Sequence, residues 1–448
     1  MTRHKRRRRG LLAPALALAM LVSTPAALAG QPRHPVAGWV RHNAAPLEHV
    51  DPAAPLDDLA PLRRAVGDAW IVGLGESVHG AAEQQTLKHR TVRMLVEQLG
   101  FRSIAWEEQW TTGLAVDEYL RTGEGDLAAL VRGLGPQWQS REMTDTLRWL
   151  RDFNAGRADK VRFVGVEYYL TGLAAYTGVD TYVAHAAPGR HAELLRHLKP
   201  ITPRTGNIDD HITWFEALPA AEQQAVVDDA RRVHDLVAGL PGRPGHAVAL
   251  RHARQILSFF EHLILPEPDT HTYRDARTAQ TVRWWQELTG DKVAYWAASP
   301  HTANAPRLRI ALPPEPDLRF AAAGSHLRQW YGRRYLSIGF TFDHGAVRLT
   351  PDLTVPQTPP KPHWFERPFG ETGIAQFTLD LRRPAPPAVR EWLRAPATTR
   401  GMAHAGPESY VDGGSLGQWF DVIVHRQEVT PMRPAPVSPD RGAGRAAA

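Results

Sequence analysis

Glu76 and His79 stand three residues apart in the loop Gly75-Glu76-Ser77-Val78-His79-Gly80, directly after the apolar run Ala69 to Leu74. Three later apolar runs end in polar groups of the same kind. Ser103 to Trp106 runs into Glu107-Glu108, Val161 to Val166 into Glu167-Tyr168-Tyr169, and Lys292 to Ala297 into Ser299-Pro300-His301. A histidine beside a carboxylate is held in one tautomer, is made more basic, and can take a proton from water near neutral pH. A second histidine can donate to a carbonyl oxygen or a leaving group. Together they suit hydrolysis of an ester or a related bond by water. A single such Glu or His at a strand end is ordinarily a helix cap or a surface group. Five of them, after four separate runs, point to a shared site.

The elements between these residues must bring them together. Ala69–Leu74 reads as a buried strand, Ala81 to Leu99 carries apolar residues at helical spacing, and Ser103–Trp106 reads as the next strand. A strand, helix and strand of these lengths favour parallel pairing through a right-handed crossover. Further strands are expected at 161–166, 292–297, 335–340 and 420–424. Helical patterns occupy roughly 171–186, 189–197, 208–217, 219–239, 245–264 and 271–289. The expectation is an α/β fold: a mostly parallel central sheet flanked by helices, with a large helical insertion (about 171–290) between the third and fourth sheet strands. The carboxyl ends of parallel strands share one edge, where ligands bind. Glu76, His79, Glu107 and His301 are therefore expected to converge, with Glu167 nearby. Trp110 and Tyr168, with Trp106, Trp138 and Tyr169, are candidates to line a large apolar pocket.

Composition narrows the chemistry. The chain of 448 residues has no Cys, which removes thiol nucleophiles, disulfides and Cys-based zinc sites. The net charge is +6, and the basic residues of the first nine positions supply all of that surplus, so no basic face for nucleic acid is expected on the folded body. Those residues precede the apolar run Leu11–Val22 and then Ala27-Leu28-Ala29. Residues 1–29 therefore read as a secretory signal peptide, cleaved after Ala29, with a twin-arginine route left open by Arg8-Arg9. The run of about 12 residues falls short of the roughly 20 that span a bilayer, and no later stretch is long and apolar enough for stable membrane insertion. The expected location is secreted or extracytoplasmic. Residues 30–57 read as an extended lead-in, 58–432 as the catalytic domain, and 433–448 as a flexible tail. Nothing in the sequence sets the oligomeric state.

Other motifs carry less. Gly413-Gly414-Ser415-Leu416-Gly417 has the spacing of a serine-hydrolase elbow but leaves little chain for the acid and histidine that should follow. Gly73-Leu74-Gly75 lacks the third glycine of a dinucleotide loop, and Glu76 would repel a pyrophosphate. There is no H-E-x-x-H. A divalent metal held by His79, His301 and carboxylates stays open as an alternative, because those side chains are adequate ligands.

The loop Gly75–Gly80, followed by Leu87-Lys88-His89-Arg90 and Leu99-Gly100-Phe101-Arg102, resembles the erythromycin esterase family, whose next strand ends in a Glu where Glu107 stands. Tyr273-Arg274-Asp275 with Ala279, the block Gly324 to Gly345, and Phe420-Asp421 extend the likeness over roughly 70 to 432. The resemblance implies hydrolysis of a small-molecule ester, a macrolide lactone, by activated water and without a cofactor. His79 would be the base, with Glu76 and Glu107 orienting it or the water. His301 would be the second histidine, and Arg274 would orient carboxylates or bind substrate beside Glu167. One departure stands out. The family pattern W-A-H-N-x-H appears here as Trp296-Ala297-Ala298-Ser299-Pro300-His301, so Ala298 and Ser299 replace a histidine and an asparagine. Glu167 stands where the family tends to have Asp, and Gln109 replaces another acid. A non-catalytic binding protein with a degenerate site is the alternative that Ala298 motivates.

Overall fold

In the computed structural model, residues 36–350 and 352–436 are described. The expected signal peptide lies outside them. Among the described residues the strands are β1 (Ala45–Pro46), β2 (Ile71–Glu76), β3 (Ser103–Gln109), β4 (Arg162–Glu167), β5 (Val293–Ala298), β6 (Leu308–Leu312), β7 (Glu315–Phe320), β8 (Tyr335–Thr350), β9 (Leu353–Gln357), β10 (Gln376–Asp380), β11 (Thr399–Arg400), β12 (Tyr410–Asp412) and β13 (Val422–Val429).

β2 shows why the sheet forms. All six of its residues are buried, as a strand covered on both faces requires. It pairs in parallel with β8 on one side and β5 on the other, so that Glu76 lies level with Phe340 and Ala298. β3 continues the parallel set beyond β5, and β4 beyond β3. The full order is β1-β10-β13-β8-β2-β5-β3-β4, with β9 paired to β8.

The expectation of a mostly parallel sheet needs correcting: the sheet is mixed. β10 runs antiparallel to β13, β1 antiparallel to β10, and β9 folds back antiparallel on β8. For β9 the reason is local connectivity. β8 is followed almost at once by β9, and so short a link allows only antiparallel pairing. β1 arises within the stretch expected to be an extended lead-in, which also contains a helix, Ala37–Asn43. At the other end, Arg433 of the expected tail pairs with Glu142 at 2.8 Å, and Pro434 bridges to Ser140.

Helices cover both faces. On one, Ala82–Leu99, Trp110–Thr122 and Arg141–Asn154 bury Leu87, Val92, Val116 and Leu147 in one core with Val72, Leu74 and Ile104. On the other lie the helices between β4 and β5: Leu173–Ala186, Pro188–Ile201, Ile208–Glu216, Ala220–Ala238, His246–Leu263 and Glu267–Thr289. Val179, Phe215, Ile256 and Phe260 from this segment share one core with Val164, Val166 and Tyr295 of the sheet. The segment therefore forms a covering layer of the sheet. A second, four-stranded sheet, β11-β12-β6-β7, stands beside the first. Among the described residues no helix is long and apolar enough to cross a membrane.

Candidate active site

Glu76 ends β2 and is fully buried. Its Oε1 is 2.9 Å from His79 Nδ1, and its Oε2 accepts from Lys88 Nζ. A carboxylate only accepts, so Nδ1 carries the proton and Nε2 keeps its lone pair. Lys88 is itself fully buried, on the helix that leaves the loop, and sits 4.6 Å over the Trp296 ring. Two glycines permit this turn. A Cβ on Gly75 would meet Thr302 Oγ1 at 2.1 Å, so its absence lets the short helix Ser299–Thr302 lie against the strand end. Gly80 has φ +95° and closes the loop against the backbone of Arg348.

The His79 side chain is 27% exposed and meets the edge of Trp138 with ring centroids 5.0 Å apart. Burial pulls its imidazole below its ordinary value; Glu107 opposes this, while His301 and Arg274 reinforce it. Sequence reasoning led to a more basic histidine. Desolvation instead outweighs the carboxylates, and the ring is neutral near neutral pH, the state a base needs.

The second half of the site is built on β3, β4, β5 and the helix Glu267–Thr289. Arg274 Nη2 lies 2.9 Å from Glu107 Oε1 and 2.9 Å from Glu167 Oε1, and its Nε donates to Glu167 Oε2 at 3.1 Å. Glu107 Oε2 accepts from the backbone N–H of Ala298 at 2.8 Å. This bond needs no side chain at 298, so the departure at that position leaves Glu107 fastened. His301 Nδ1 is 3.0 Å from Asp275 Oδ1, and its Nε2 is 3.3 Å from Glu107 Oε1. Asp275 also accepts from the N–H of Ala323. Burial lowers the His301 imidazole, but Asp275 and Glu107 overcome this against Arg274, and its value is raised.

Glu107 carries a measurable pH signature. Burial alone would raise its carboxyl, but His301, His79, Arg274 and the Ala298 amide hold it down at about 2. Its contribution to stability is present above the ordinary carboxylate value of 4.5 and is lost as pH falls from there toward about 2. The shift corresponds to roughly 3 kcal/mol. In urea unfolding, wild type should lose its advantage over Glu107→Gln across that window. A difference that stays constant from neutral pH to about pH 3 would contradict the assignment.

His79, Glu107, Arg274 and His301 border one cleft of about 320 Å³. The structure therefore brings the catalytic candidates together, with Glu76 behind His79 and Glu167 behind Arg274. Two other candidates are corrected. Trp110 is buried in the helical core, where its Nε1 donates to His252 Nδ1 at 2.9 Å. Tyr168 is also buried, 3.1 Å from His262 Nδ1 through its hydroxyl. Neither borders the cleft. Tyr169 does, with Arg274 stacked 5.2 Å over its ring. Sequence reasoning missed the role of Asp275, although it adjoins Arg274. It also missed the part of the cleft wall formed by Ile310, Leu318, Phe320 and Val411 of the second sheet. Among the described residues no three His, Asp or Glu side chains are arranged to hold a metal ion. Arg274 and Lys88 already occupy the carboxylates that a metal would need.

A family model described as erythromycin esterase matches residues 96–429. The chain belongs to the erythromycin esterase family. The match takes in Glu107, Glu167, Arg274, Asp275 and His301 and begins after the Glu76–His79 loop. A curated relative, erythromycin esterase type II of Escherichia coli, is 31% identical over 129 residues, which is 29% of this chain and 30% of that protein. Among solved structures, a Bacillus cereus protein aligns with TM-score 0.78 and 30% identity, over 90% of this chain and 98% of its own. A succinoglycan biosynthesis protein aligns with TM-score 0.77 and 26% identity, over 89% and 97%. A mutant erythromycin esterase in its open conformation shares the fold at TM-score 0.67 and 17% identity, over 87% and 98%. Membership of the erythromycin esterase family supports an ester hydrolase acting on a small molecule.

Proposed function

We propose that the chain is an exported esterase that opens a macrolide-type lactone or a related ester with water, using His79 as general base. The observation that carries this reading is the 2.9 Å contact of Glu76 with His79 Nδ1 at the mouth of a cleft shared with His301. In the proposed reaction, a water at His79 Nε2 gives its proton to the ring as its oxygen bonds to the ester carbon. Glu76 stabilises the imidazolium that forms. His301, which borders the same cleft and whose Nε2 also lies 3.3 Å from Glu107 Oε1, donates to the developing oxyanion and then gives its proton to the alkoxide that leaves, whose bond to the acyl carbon breaks; His79 afterwards releases its proton to solvent and His301 takes one up. Export rests on the basic, apolar and small-residue sequence of the first 29 positions and on the lack of cysteine.

Incubation of the purified protein with a panel of macrolides and simple esters tests the reading. A product heavier by one water, formed equally with and without a chelator, is expected. No such product from any ester would count against hydrolysis, and loss of activity on chelation would count against water activated by His79 alone.

The pH profile gives a second check. His79 must be neutral and its value lies below the ordinary 6.5; His301 must be charged and its value lies above 6.5. Plotted against pH, kcat/KM should rise through an acid limb below 6.5 and fall through an alkaline limb above it. An acid limb above 6.5 would remove His79 as the base.

A further inference from the structure

The cleft wall includes a charge that the hydrolytic reading does not use. Arg400, in β11, is 5% exposed and borders both the main cleft and a smaller cavity of about 20 Å³ behind it. That space holds about one water. Its Nη2 donates to the carbonyls of Phe342 and Asp343, both at 3.0 Å, and its guanidinium stacks 4.0 Å over the Phe342 ring. Its Nε has no hydrogen-bond partner, and Glu366 Oε1 is 3.7 Å from it. Nη1 makes no hydrogen bond to another residue among the described residues. Glu366 offsets part of the charge but is itself fully buried, and one of its oxygens accepts from Thr399.

Beside Arg400 the wall is apolar and regular. Val411 lies opposite Ile310, and Ile310 opposite Leu318, so the three form one row across β12, β6 and β7. All three face the cleft. In the pairing of β11 with β12, Thr399 lies opposite Val411 and Arg400 opposite Tyr410, so Arg400 stands next to the end of this row and borders the same cleft. An apolar row beside an incompletely satisfied guanidinium in one cleft matches an aliphatic chain with a negative end.

We infer that Arg400 is a substrate-binding residue for a carboxylate, and that the cleft selects, among esters, those whose acyl chain ends in an acid group. This rests on the ester-hydrolase reading and narrows its substrate class. Hydrolysis itself is unchanged: water adds to the ester carbonyl, the alcohol leaves, and the product is a dicarboxylic acid.

The test compares monomethyl succinate with methyl butyrate, and monomethyl adipate with methyl hexanoate, for the full chain, by mass spectrometry of the acid formed. The anionic member of at least one pair should have a kcat/KM at least about tenfold higher. That ratio should fall toward one in Arg400→Gln and be partly retained in Arg400→Lys. Leu318→Glu, on the partly exposed edge strand, should lower the same ratio by repulsion and serves if Arg400→Gln does not fold. A purely structural role for Arg400 would slow both members of a pair equally and leave the ratio intact, which would overturn the inference, as would a ratio near one in wild type. If wild type hydrolyses none of the four, calorimetry with succinate and adipate decides. Binding that is lost in Arg400→Gln, or weakened in Leu318→Glu, keeps the subsite while the esterase reading falls. No binding to wild type removes the subsite as well.

Discussion

His79→Asn is expected to lower kcat/KM for ester hydrolysis by about a thousandfold, within the range typical for loss of a general base. Asparagine can still donate to Glu76, so the buried carboxylate keeps a partner in place of the 2.9 Å imidazole bond. The lost function is the lone pair on Nε2, which no amide supplies. Because the side chain is 27% exposed, little packing is removed, and the melting temperature should change by only a few degrees. Steady-state kinetics on the best ester of the panel, with thermal unfolding alongside, makes the measurement. A variant that keeps more than about a tenth of wild-type activity would exclude His79 as the base.

The largest loss of stability should follow Arg274→Met. Arg274 is the cation shared by Glu107 and Glu167, and both carboxylates are buried. Removing one member of a buried ion network leaves uncompensated charge and costs about 3–5 kcal/mol. Methionine retains the length of the side chain and little else, so the loss is electrostatic. The Glu107 carboxyl should then climb from about 2, the His301–Glu107 contact should weaken, and activity should fall with stability. Urea unfolding of wild type, Arg274→Met and Arg274→Lys reads this. Lysine should recover part of the stability, since it restores charge without the two-pronged geometry. A loss in Arg274→Met of less than about 1 kcal/mol would show that the carboxylates are not held as charges.

The site was legible in the sequence to the extent that strand direction decides it. Glu76, Glu107, Glu167 and His301 each follow an apolar run, and parallel neighbours must present those ends on one edge. The helices between β4 and β5 were legible for a related reason: their apolar spacing is long and regular, and the patterns expected at 208–217, 219–239 and 245–264 match the helices within a few residues. Side-chain direction at a strand end was not legible. Tyr168 and Tyr169 are adjacent, with ring centroids 6.3 Å apart, yet Tyr168 is fully buried and only Tyr169 borders the cleft. Trp110 begins a helix, and its burial depends on a partner, His252, that is 142 positions away. In sequence Lys88 reads equally as a partner for the loop carboxylates or as a residue coating its helix; the position of that helix over the strand end decides it, turning Lys88 inward to Glu76. The antiparallel edge was hidden because β1 and β10 are short, and the Ala45–Thr378 pairing joins segments more than three hundred residues apart. The apolar wall of the cleft was hidden in the same way, since it is assembled from three short strands of the second sheet.

The central claim is that water, activated at His79, attacks the ester directly. Rapid-quench mass spectrometry of the intact protein during turnover in ¹⁸O-labelled water tests it most directly. The account predicts one ¹⁸O in the acid product and an unmodified chain at every time point. An acyl group found on the chain, at Ser77 or elsewhere, ahead of product release would contradict it.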